Sequence, residues 1–256
     1  MHSALKDVDK GLYPNAFCKI IKDIAGDPNY CSIVHADGAG TKSALAYMMY
    51  RETGSLEYFK NIVQDSVVMN VDDVLCVGAS KFFLLSNTLG RNKKLIGSEI
   101  VSTIINAYEE FISKLRDFGL PIYTCGGETA DLGDIVRTLV VDSTLVARML
   151  RTDVIVPDNI QNNDIIVGLS STGKASYENI DYNSGISSNG LTLARHGLLA
   201  HDYFHKYPEC VSPELEEKWA YFGKYRFEDK LPNTSIRIGE ALLSPTRSYA
   251  PILLKI

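Results

Sequence analysis

Residues 31–47 read CSIVHADGAGTKSALAY, and the reading of this stretch decides the fold. Residues 31–36 are a short β-branched and apolar run, the length of one buried strand. Asp37-Gly38-Ala39-Gly40 breaks the run, and two glycines let the backbone turn sharply and approach a ligand. Thr41-Lys42 follows, and residues 43–50 favour a helix with one apolar side. The unit is therefore strand, tight loop, helix. It gathers a carboxylate, bare backbone N–H groups, a hydroxyl and an ammonium at a strand end. That mix suits a metal–phosphate site, with Asp37 for the cation and Gly38, Gly40, Thr41 and Lys42 for phosphate oxygens. It is not a P-loop, which needs GxxxxGK[ST]. A glycine-rich turn carrying a solvated lysine accounts for the same residues.

Outward from this unit the pattern stays mixed. Residues 7–23 read as a helix, with Pro14 near its start. Residues 61–77 form a second helix: at about 100° per residue, Val67, Val68, Val71, Val74 and Leu75 fall into one apolar stripe. Asp65 and Asp72 lie within about 20° of each other on the opposite side, with Asp73 about 80° away. That puts three carboxylates on the uncovered side of a core helix. A solvated acidic face is the ordinary explanation. No Lys or Arg stands between residues 61 and 80, however, and a divalent cation would relieve the repulsion.

Gly78-Ala79 ends the helix. Residues 82–89 read as a strand, and residues 99–118 as an amphipathic helix capped by Ser98 and closed by Gly119. Residues 120–125 read as a strand cut by Gly126-Gly127-Glu128-Thr129-Ala130-Asp131. This repeats the chemistry of the opening loop, at the strand end where α/β folds place ligands. Residues 136–149 are a long β-branched strand. The polar, Asn-rich residues 151–164 read as a boundary, which gives domains at 1–152 and 153–256. Beyond it come a strand at 165–169, then Ser187-Ser188-Asn189-Gly190 directly before a helix at 191–199. That last arrangement is either a plain N-cap or an anion site. Residues 200–233 carry no clear periodicity. A helix at 235–243 leads through Leu-Ser-Pro-Thr-Arg to the apolar residues 249–256.

The composition is that of an ordinary soluble globular chain: 256 residues, 45% hydrophobic, 22% charged, net charge −5. An acidic balance argues against nucleic acid bound by bulk charge. The five cysteines, Cys18, Cys31, Cys76, Cys125 and Cys210, are scattered and read as reduced thiols in a cytoplasmic protein. No stretch reads as a signal peptide or as an apolar run long enough to span a membrane. His196, His201 and His205 have no cysteine or acidic ligand set around them in sequence and read as solvated.

Four motifs then stand in fixed order: Asp37-Gly-Ala-Gly-Thr-Lys42, Asp65-x6-Asp-Asp73-x4-Gly-Ala79, Gly126-Gly-Glu-Thr-Ala130 and Ser187-Ser-Asn-Gly190. As a set they resemble the aminoimidazole ribonucleotide synthetases, the phosphoribosylformylglycinamidine cyclo-ligases of purine biosynthesis. The resemblance covers nearly the whole chain and is weakest between residues 203 and 233. It implies an α/β fold of α+β type with mixed sheets in a PurM-like two-domain architecture, the second domain incomplete here. It also implies a homodimer that pairs the first-domain sheets, with ATP and Mg²⁺ as cofactors and formylglycinamidine ribonucleotide as substrate. ATP would phosphorylate the formamide oxygen, the amidine nitrogen would close the imidazole ring, and phosphate would leave.

Carried over by position, the resemblance makes Asp37, Asp73 and Glu128 the metal–nucleotide acids and Lys42 the phosphate-facing lysine. Asp65 matches an acid of this branch, and Lys19 falls where the family has a lysine near the nucleotide. Gly126, Gly127, Thr129, Ser188, Asn189 and Gly190 would line the nucleotide. Ser187 stands where the family usually has His. Two alternatives remain: another ATP-dependent enzyme of the same superfamily, of amidotransferase, selenophosphate synthetase or thiamine-monophosphate kinase type, or a non-catalytic nucleotide-binding fragment.

Overall fold

The computed structural model describes residues 8–256. A five-stranded sheet forms its centre: β1 (Ile21–Lys22), β2 (Tyr30–Gly38), β3 (Phe83–Arg91), β4 (Ile122–Asp131) and β5 (Leu139–Leu150). The strand order is β1-β2-β5-β3-β4. All pairs are antiparallel except β3 with β4. That parallel pair needs a crossover, and α3 (Ser98–Asp117) supplies it. Two further helices, α1 (Lys42–Thr53) and α2 (Glu57–Leu75), join β2 to β3.

The alternation of β5 shows how the sheet sits. Leu139, Val141, Ser143, Leu145, Ala147 and Met149 are buried on the helix side, and the residues between them face out. The valine stripe of α2 covers the buried side, with Val67, Val71 and Val74 fully enclosed. The other side of the sheet is open. One transverse row on it runs Val34–Val146–Leu84–Tyr123 in register across β2, β5, β3 and β4. Val34, Leu84 and Tyr123 are 55%, 47% and 54% exposed.

After β5 regular structure is sparse. Four short helices remain: α4 (Leu191–Leu198), α5 (Asp202–Lys206), α6 (Ile238–Leu242) and α7 (Ala250–Leu253). One buried apolar cluster nevertheless runs from Cys18 to Ala250 and ties this part to the first.

Several expectations change. The part of residues 7–23 that is described is not helical. Gly11 adopts φ 80°, the chain doubles back so that Leu12 N–H donates to the Ile20 carbonyl at 2.7 Å, and only Ile21–Lys22 pairs with the sheet. Asp7 lies outside the described residues. Gly126 does not end β4. It takes φ 94° beside a register shift, and the strand runs on to Asp131. Residues 165–169 form no strand: Ile165, Ile166 and Val167 are 89%, 98% and 77% exposed. Ser98 is the first helical residue, and Gly97 takes the cap position. Gly119 closes α3 as expected, with φ 95°. The helix expected at 235–243 shortens to the five residues of α6.

Candidate functional site: an acid cluster at the end of β2

The opening loop lies at the C-terminal end of β2, but the strand runs on through Asp37 and Gly38, which pair with β5, so the break comes at Ala39-Gly40 and not at Asp37. Asp37 accepts from the Gly38 N–H at 2.7 Å. Gly38 lies opposite Asp142 on β5. A Cβ there would sit 1.7 Å from Asp142 Oδ1, so this glycine makes room for a carboxylate. Gly127 does the same for Asn87, whose Oδ1 would be 1.7 Å from a Cβ. Gly40 and Gly126 in these two segments adopt positive φ, which favours glycine.

Asp37 raises the carboxyl pKa of both Asp73 and Asp142 by repulsion, on top of a larger effect of burial. His35 opposes this at Asp73, with Nε2 3.3 Å from Oδ2. The arrangement is anchored from beneath. Asn70 on α2 donates to the carbonyls of Asp37, Ser66 and Ser143 at 3.1, 2.9 and 3.2 Å. Its Oδ1 therefore faces His35 Nδ1, at 3.0 Å, as acceptor. Tyr108 and the paired hydroxyls of Ser66 and Ser143 complete this buried network.

Asp142 and His35 were not singled out in the sequence. The signal for Asp142 was available: an acid inside a strongly β-branched strand, at a position that faces out. Glu128 does not join the cluster. It stands in the row Gly38–Asp142–Thr88–Glu128, three strand spacings from β2, which is roughly 14 Å. Thr129, Gly126 and Gly127 are on the same distant strand.

Lys42 and Asp65 meet, but in the interior. Both are fully buried, with Lys42 Nζ 3.0 Å from each Asp65 oxygen. Only Oδ1 lies in line for a hydrogen bond; Oδ2 receives the charge without a directed donor. Nζ also donates to the Ser244 carbonyl at 2.5 Å. Asp65 Oδ1 accepts from the Thr246 N–H and hydroxyl at 2.8 and 2.6 Å. The ammonium expected to face phosphate is thus committed inside the fold.

The polar face of α2 is covered, not open. Asn61 and Gln64 donate to the carbonyls of Leu243 and Thr246. Asp72 accepts from the Ser248 hydroxyl and the Tyr249 N–H, both at 2.8 Å. Burial pushes the Asp72 carboxyl up to about 6. The helical geometry that grouped Asp65 with Asp72 holds, because both grip the 243–249 segment. Asp73 points the other way, to His35.

Lys19 sits at the cluster's edge. Its neighbour Cys18 donates to the Asp73 carbonyl at 3.3 Å, while the Lys19 ammonium turns to Asp9 at 3.4 Å. The Ser187–Gly190 motif does approach the opening loop. Thr192, in the first turn of α4, meets Thr41 hydroxyl to hydroxyl at 2.9 Å. Nearby in sequence on each side, Ser43 and Ser188 keep buried hydroxyl oxygens without a partner among the described residues. Ser187 contacts the Thr246 hydroxyl at 3.3 Å. A hollow of about 620 Å³ opens elsewhere, between α2, α3 and residues 177–180, and the acid cluster does not line it. No described helix is long and apolar enough to cross a membrane.

Together these features define an α/β protein with carboxylates placed where a glycine loop leaves its sheet. Residues 16–149 match the domain described as AIR synthase related protein, N-terminal domain, and the chain belongs to that family. Among curated proteins it is similar to the phosphoribosylformylglycinamidine cyclo-ligase of Methanocaldococcus jannaschii, 27% identical over 226 residues, which are 88% of this chain and 51% of that protein. It is also similar to the cyclo-ligase of Methanococcus vannielii, 29% identical over 229 residues, 88% of this chain and 51% of that protein. The chain spans about half the length of the curated relatives it matches. Among solved structures, a Thermotoga maritima PurLQS chain aligns with TM-score 0.37 at 16% identity, over 50% of this chain and 18% of that one.

Proposed function

We propose that the chain carries the metal–nucleotide side of an ATP-dependent cyclo-ligase, acting on formylglycinamidine ribonucleotide to form the aminoimidazole ribonucleotide in purine biosynthesis in the cytoplasm. The observation that supports this reading most is the placing of Asp37 close enough to Asp73 to repel it, beside the Gly38–Gly40 loop. Burial and repulsion from Asp37 raise the Asp73 carboxyl pKa, and hard oxygen donors held this way fit Mg²⁺ well. When bound, Mg²⁺ would neutralise phosphate charge and polarise the group in transfer.

The chain's own residues have distinct roles in this reading. Asp37 and Asp73 hold the metal from the helix side of the sheet, and Asp142, on the opposite side, adds negative charge nearby. The hydroxyls of Thr41, Ser43 and Ser188 and the N–H groups around Gly40 and Asn189-Gly190 face the phosphates. The Lys42–Asp65 pair holds the 243–249 segment in place and positions what lies on it. The open apolar row on the sheet supports a homodimer. The boundary near residue 152, where the sheet ends, supports a second unit after it. A second reading, nucleotide binding without turnover, has one observation in its favour: Lys42 is fully buried and paired.

The deciding experiment measures ADP release with formylglycinamidine ribonucleotide, alongside thermal melts with and without Mg²⁺–ATP. The parent is expected to melt higher with nucleotide. Asp73→Asn keeps the side-chain shape and relieves repulsion, so it should melt no lower alone but lose most of the nucleotide shift. A nucleotide shift without ADP release supports the second reading. An undiminished shift in Asp73→Asn removes that residue from the site.

A further inference from the structure

Residues 200–233 hold a second cluster, remote in sequence from the acid loop. His201 sits at the N-cap of α5 and His205 one turn later. The spacing of four puts both imidazoles on one side of the helix. The turn at Glu217–Trp219 folds back against them. His201 Nε2 lies 3.2 Å from Glu217 Oε1, and His205 Nε2 lies 3.7 Å from the same oxygen. One ligand atom from each residue lies within 4.8 Å of the other two.

The far nitrogen of His201 fixes its tautomer. Nδ1 is 3.0 Å from the Ala220 carbonyl, which can only accept, so Nδ1 carries the proton. Nε2, the nitrogen left for a metal, points at the Glu217 carboxylate. A second proton on the imidazole satisfies this pair at 3.2 Å, and a metal ion between the two groups would take that proton's place. A backbone carbonyl holding Nδ1–H while Nε2 faces outward is also the arrangement that orients metal-ligating histidines. The same short turn supplies both the acid and this carbonyl.

We propose that His201, His205 and Glu217 form a binding site for a borderline divalent transition ion of the zinc class. Three donors with bonds of about 2.0–2.1 Å in a tetrahedron stand about 3.4 Å apart, and the two distances to Glu217 bracket that value. Two imidazoles exclude Mg²⁺ as the favoured ion, so the site is chemically separate from the acid cluster. All three side chains are substantially exposed, which gives the ion access and leaves its fourth position to water. Bound metal would clip α5 to the 217–219 turn.

The test is calorimetric titration of chelator-treated full chain with Zn²⁺. One equivalent is expected to bind, with excess Mg²⁺ failing to displace it. His205→Ala and Glu217→Gln should each weaken binding more than about tenfold, the lower end of what even an outer-shell partner costs such a site. Both residues are exposed, so circular dichroism should show the fold unchanged. Co²⁺ should give the intense visible bands of tetrahedral N/O ligation in the parent and lose them in the variants. Absence of binding, or equal binding in both variants, overturns the proposal. In the second case other groups of the chain would be holding the ion.

Discussion

Asp72 and Asp73 are adjacent in sequence and opposite in consequence. Asp72 is part-buried beneath residues 248–249, and this burial raises its pKa to about 6. The sign follows from the unfolded value near 3.9. A carboxyl with a raised folded pKa costs stability when ionised, so the cost is full at neutral pH and fades as pH falls through 6 toward 4. Asp72→Asn is expected to stabilise the protein at pH 7 by on the order of 1–3 kcal/mol and to lose that advantage by pH 4.5. Urea midpoints of the two proteins at both pH values measure it. A difference that does not change with pH would show that Asp72 does not titrate there. Sequence reasoning placed Asp72 correctly on the helix. It could not see the covering segment, which lies 176 residues further along.

The element where expectation and structure agree best is the β2–loop–α1 unit, because strand, loop and helix there are all specified by neighbouring residues. The long strand β5 and the helices α2 and α3 were legible for the same reason: each carries a full period of its own. The failures share a cause as well. Residues 8–20 have helix-like composition but are held by a return contact to Ile20. Ile165, Ile166 and Val167 have strand propensity but no neighbouring strand to pair with. The acid cluster was half legible. Asp37 and Asp73 could be named from sequence, whereas His35 and Asp142 enter only through the pairing of β2 with β5 and the packing of α2 beneath it. At this scale the open sheet face makes its own prediction. Leu84→Glu places a charge in the middle of the exposed apolar row. The parent is expected to sediment as a dimer at micromolar concentration and the variant as a monomer, with equal helix content. A monomeric parent would leave the row without a partner copy.

Taken whole, the molecule joins a well-ordered sheet layer to a later part held by side-chain grips more than by ladders. Arg247 and Glu178 make a buried bidentate pair at 2.6 and 2.9 Å. Asn183 and Tyr177 fix the carbonyls of Pro245 and Ser248. Breaking one partner of a buried pair of this kind costs about 3–5 kcal/mol. Those grips all converge on residues 243–249, and that convergence has a consequence in time. Asp65 and the Thr246 N–H are 181 residues apart. At about 5–20 residues per second of synthesis, the helix α2 waits roughly 10–35 s for its cover. Its acids must therefore live in water first and in the interior afterwards, so a face that reads as solvated describes the nascent chain faithfully. Refolding should keep that order. Pulsed hydrogen exchange is expected to protect the amides of α2 before those of Thr246 and Tyr249, and simultaneous protection would show that the cover and the helix form as one.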